Sequence, residues 1–99
     1  MNKREKEQLI EMLKAQLKCR WAHAISAQKV ARKSASETAY VNFKFKVGMA
    51  LGCKKCCLCT FSLPAFRTSS NDWFNIVNRW IREVEYAAGE KLETDMCKW

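Results

Sequence analysis

Residues 40–63 read YVNFKFKVGMALGCKKCCLCTFSL, and the fold of the chain turns on how this stretch is read. In its first half Val41, Phe43, Phe45, Val47, Met49 and Leu51 alternate with Tyr40, Asn42, Lys44, Lys46, Gly48 and Ala50. A period of two is the signature of a half-buried strand. Gly52-Cys53-Lys54-Lys55 has the composition of a turn, and beyond it Cys57, Cys59, Phe61 and Leu63 alternate with Cys56, Leu58, Thr60 and Ser62. The two runs are expected to pair as an antiparallel hairpin with one apolar and one lysine-bearing face. A second period is present, because Ala39, Phe43, Val47 and Leu51 recur at i+4. The unbroken alternation and the β-branched and aromatic content favour the strand.

Upstream, residues 3 to about 32 contain no Gly or Pro and are rich in Leu, Lys, Glu, Gln and Ala, which predicts a long helix. Ile10, Leu13, Leu17, Trp21, Ala24 and Ile25 fall on one stripe at 100° per residue, the face expected to be core. Met12, Ala15, Cys19, Ala22, His23, Ser26 and Val30 form a second, weaker apolar face opposite it. Downstream, Pro64 is expected to end the second strand, and Ser69, Ser70, Asn71 and Asp72 offer a choice of caps, Asp72 also suiting the positive end, for a second helix carrying Trp73, Ile76, Val77, Trp80, Ile81, Val84, Ala87 and Ala88, with Gly89 as its stop. The expected fold class is therefore α+β: a helix–β-hairpin–helix (αββα) domain with both helices on one face of a two-stranded sheet. Residues 1–89 form the domain, with Leu13, Leu17, Trp21, Phe43, Phe45, Ile76, Trp80 and Val84 in its core, and residues 90–99 an acidic, mobile tail. A sheet of two strands is thin, so pairing between chains into a homo-oligomer is also expected.

Ninety-nine residues suit one domain. The charge is unevenly distributed: residues 12–82 hold thirteen Lys and Arg against two acids, Glu37 and Asp72, a net +11 within a chain of net +8. Such a body attracts an anionic partner, and nucleic acid is the first expectation. The residues expected to contact it are Lys29, Arg32, Lys33, Lys44, Lys46, Lys54 and Lys55, with Tyr40 available to stack a base. The alternative is a small inhibitor or adaptor, of the kind phages and mobile elements encode, that docks on an acidic surface of a partner protein. The plain alternative to both is a charged solvated surface.

Cys53-Lys54-Lys55-Cys56 is a C-x-x-C, and Cys19 and His23 sit at i and i+4. Together the two pairs would make a Cys3His site for one structural zinc, with Cys57, Cys59 and Cys97 as alternative ligands; with neither, the protein needs no cofactor. A thioredoxin-type role is disfavoured because the residues after Cys56 do not open a predicted helix. One His, few acids and no glycine-rich phosphate loop argue against an enzyme. The amino-terminal segment has no apolar signal region and no run reaches spanning length, so the expectation is a cytoplasmic protein without a membrane partner.

Overall fold

In the computed structural model, which describes residues 2–66 and 72–94, the described elements are all helices. Helix α1 runs Lys3–Ser34, α2 runs Glu37–Phe61, a short 3-10 turn covers Pro64–Phe66, and α3 runs Trp73–Ala88. Among the described residues there is no strand, so the α+β expectation is overturned. The chain is a three-helix bundle, 49 Å long and 20–22 Å across, and α1 spans its full length.

Helix α1 starts at Asn2, whose side chain accepts from the Glu5 backbone N–H at 2.8 Å. It ends at Ala35 in the left-handed conformation (φ 48°). Ser36 immediately caps α2 by accepting from the Ala39 N–H, so two residues reverse the chain. The polar run around Ser36 and Glu37 is thus a helix start, with a hydroxyl cap and a carboxylate at the positive end. Gly52–Lys55, expected to be a turn, lies within α2.

Burial separates the two readings of residues 40–63 sharply. Alternation places Phe43 and Phe45 on one face, yet Phe43 is fully buried and Phe45 is 63% exposed. The buried residues of α2 are Phe43, Val47, Ala50, Cys57 and Phe61, spaced four, three, seven and four apart, which is helical spacing. They meet Leu13, Leu17, Trp21, Ala24 and Ile25 of α1, and the pairing of Cys57 Sγ with the Leu13 carbonyl at 3.9 Å fixes an antiparallel register. An isolated two-stranded hairpin would leave the outer N–H and C=O groups of both strands without partners, whereas a helix satisfies its own backbone. With no sheet, the expected oligomerisation by strand pairing has no edge to use.

Helix α3 packs across the opposite side of the α1–α2 pair through Val77, Trp80 and Ile81. Asp72 caps it as expected, and Gly89 (φ 81°) ends it. Phe61 anchors one end of the bundle, stacked on Trp73 (centroids 4.3 Å apart) and edge-on to Phe66 and Trp80. The Trp73 indole N–H donates to the Phe66 carbonyl at 2.9 Å. Of the expected core, Leu13, Leu17, Trp21, Phe43 and Trp80 are buried, Ile76 and Val84 are half-buried, and Phe45 is excluded.

The first residues of the segment after α3 pack against α1. Gln28, fully buried on α1, donates to Glu90 Oε1 and to the Lys91 carbonyl, both at 2.9 Å, and accepts from the Glu93 N–H at 2.6 Å. Leu92 is buried beside it. The remainder of the expected tail, 95–99, lies outside the described residues.

Candidate docking surface

The helix redistributes the residues a strand would have gathered. Positions i and i+2 share a strand face but stand about 200° apart on a helix. Lys44 and Lys46 therefore lie on opposite flanks of α2. Tyr40 is half-buried with the Lys44 ammonium 5.6 Å from its ring centroid, so it is not an open stacking platform. Lys54 reaches over Phe74 of α3 at 5.9 Å, and Lys55 is exposed on the Lys44 side. On α1, the Lys29 ammonium donates to the Ala88 carbonyl at the C-terminus of α3 (2.7 Å), and Arg32 pairs with Glu90 at 3.1 Å. These two cations hold the third helix and its extension in place. Lys33 is exposed in the last turn of α1. The eight expected anion contacts thus do not share one face.

The expected zinc ligands are likewise divided. Cys19 Sγ lies 3.8 Å from His23 Nε2 on the exposed side of α1. Cys53 pairs with Cys57 rather than with Cys56, and burial raises both thiols, Cys57 to about 12. Burial there favours the protonated thiol over the thiolate that a metal requires. Among the described residues no three His, Cys, Asp or Glu side chains come together in a way that could hold a metal ion.

What the structure assembles instead is a broad face away from α3. The outward side of α1 carries Met12, Ala15, Gln16, Cys19, Ala22, His23, Ser26 and Val30; that of α2 carries Val41, Phe45, Gly48, Gly52, Cys56 and Cys59, with Glu37 and Thr38 beside Val41 and Phe45 at its start. All but Ala22 are exposed, and Met12, Val30, Val41 and Phe45 are each at least half exposed. Between the two helices runs a furrow. One part of it, about 440 Å³, is lined by Ala15, Gln16, Cys19, Arg20, His23, Lys46 and Met49. A second part, about 380 Å³, shares His23 and Lys46 and continues past Ser26, Ala27, Val30 and Asn42. Arg20 and Lys46 are the ionised side chains in its lining, and no acid is there.

Gly48 and Gly52 stand out within this face. A Cβ added at either would meet nothing within 4 Å, so packing inside the chain does not require glycine there. Each costs about 1 kcal/mol relative to alanine in a helix interior. A local rule broken without internal compensation is what a surface shaped for close approach by something else would display.

Sequence reasoning noted the weaker face of α1 but missed Arg20, Phe45 and the two glycines as site residues. The signal was the i, i+4 series Val41-Phe45 and Gly48-Gly52-Cys56, visible only once α2 is read as a helix. Among the described residues no helix is long and apolar enough to cross a membrane. No protein-family model, curated protein or solved structure matches the chain.

Proposed function

We propose that this chain is a non-catalytic adaptor or inhibitor that docks on an acidic surface of a partner protein through the outer face of α1 and α2. The observation that carries the reading is a furrow between two helices lined by two cations and no acid, on a chain that is 28% charged overall. Contiguous apolar surface of this kind on a monomer marks an interaction site, and depletion of charge at the centre is typical of protein interfaces. Phe45 is the exposed aromatic on which such an interface would be centred. Its cationic surroundings, Lys46 on one flank of α2 and Lys44 and Lys55 on the other, suit an acidic rim and steer association.

The deciding experiment is affinity capture from the native cell with and without nuclease, using the chain and its Phe45→Glu variant. The expected result is one protein that survives nuclease, is lost with Phe45→Glu, and binds one-to-one when purified. Capture that is lost on nuclease treatment would overturn the reading in favour of nucleic acid.

That second reading is favoured by the +11 of residues 12–82. It predicts a steep fall of log K with log salt, with a slope of roughly −3 to −4 for about four phosphate contacts. Because Lys44 and Lys46 face opposite flanks, the double Lys44/Lys46→Ala change would flatten that slope by about one unit on a single bound backbone.

A further inference from the structure

We infer that the furrow between α1 and α2 is the seat of one amphipathic helix from the partner protein, acidic near its middle; the inference rests on the docking reading above. The furrow follows α1 from Ala15 to Val30. At 1.5 Å per residue that is about 22 Å, the length of four helical turns. α3 already fills the matching furrow on the other side of the pair, so an occupant here completes a four-helix bundle.

The lining chooses among occupants. An extended segment brings unpaired backbone N–H and C=O groups, and Gln16, Arg20, His23, Ser26, Asn42 and Lys46 are too few to satisfy both the donors and the acceptors of a strand of that length. A helix brings none, and Ala15, Cys19 and Gly48 are small enough to let its backbone come close. Arg20 and Lys46 line the floor at neighbouring levels of the antiparallel pair, without an acid in the lining to neutralise them. A partner helix with Glu or Asp at that level supplies the missing charge. A second copy presenting this same furrow would instead oppose cations to cations, since its lining holds no acid. A bilayer surface is met poorly by a concave furrow whose adjoining ridge carries glycine at positions 48 and 52.

The test uses the full chain and fluorescent synthetic peptides of about 16 residues: one with Leu and Ala on one helical face flanked by Glu, one of equal charge with two central prolines, and one with Lys in place of Glu. The Glu peptide is expected to saturate at one per chain, and the proline peptide to bind at least tenfold more weakly. Arg20→Glu/Lys46→Glu should weaken the Glu peptide at least tenfold and restore binding of the Lys peptide. Both side chains are half-buried at the edge of the bundle, and an unchanged melting curve separates this result from misfolding. The inference is overturned if the Glu peptide does not saturate, if the proline peptide binds equally well, or if the double variant binds the Glu peptide unchanged. A captured partner that resists Arg20→Glu/Lys46→Glu but is lost with Phe45→Glu would overturn the furrow helix while leaving the docking reading intact.

Discussion

The two long sides of α1 are used in opposite ways. Toward α3 its cations are engaged: Lys18 with Glu83, Lys14 over the Trp80 ring at 5.9 Å, Lys29 with the Ala88 carbonyl, Arg32 with Glu90. The Lys18 ammonium also holds the Glu83 carboxyl below its ordinary range. Toward the outer furrow, Arg20 and Lys46 have no acid in the lining to answer them. The contrast teaches that net charge alone says little about a binding surface. Part of the +11 region closes the bundle, and Arg20, Lys44, Lys46 and Lys55 flank a face that is mostly apolar.

Substitutions on the two sides should therefore separate stability from binding. Trp80→Ala empties a buried ring site against Phe61 and should cost about 3–5 kcal/mol in chemical denaturation. Phe45→Ala, on the outer face, should change stability by no more than about 0.5 kcal/mol while weakening the partner. If Phe45→Ala unfolds the chain as Trp80→Ala does, the two sides are not different in kind.

A smaller effect is expected where the C-terminal extension meets α1. Gln28→Ala leaves the Glu93 N–H and the Lys91 carbonyl without their buried partner, a loss of about 1–3 kcal/mol. Hydrogen exchange should show residues 90–94 losing protection while the core of α2 keeps its own. Uniform loss across all three helices would mean that the extension is integral to the bundle rather than a strap upon it.

The smallest effect has the opposite sign. Gly48→Ala and Gly52→Ala should each stabilise the chain by up to about 1 kcal/mol, since the added methyl meets open space in a helix. Both should reduce partner affinity if the partner approaches closely at these glycines. Stabilisation without loss of affinity would show that Gly48 and Gly52 lie outside the interface.

Much of the bundle was legible in the order of residues. The stripe Leu13, Leu17, Trp21, Ala24 and Ile25 named the buried side of α1, the run of cap candidates ending at Asp72 marked where α3 begins, and Gly89 marked where it ends. These readings held because each helix has one clearly apolar face and local chemistry that starts or stops it. The middle helix misled because it is apolar on both sides, one turned to the core and one to the furrow. When nearly every second and every fourth residue is apolar, a period of two and a period of 3.6 fit equally well. The candidate site was lost with that helix, since its residues share a surface only at helical spacing.

Sequence by itself thus determined the extent of α1 to within two residues, the Gly89 stop of α3, the basic character and the chemistry available at each position. Tertiary structure decided that residues 37–61 are helical, that Phe43 is buried and Phe45 exposed, and which lysines close the bundle. The physical reason is that local preference in residues 40–63 is nearly balanced. A choice that close is made by packing against α1 and by the need to satisfy every buried backbone group, which are properties of the assembled chain.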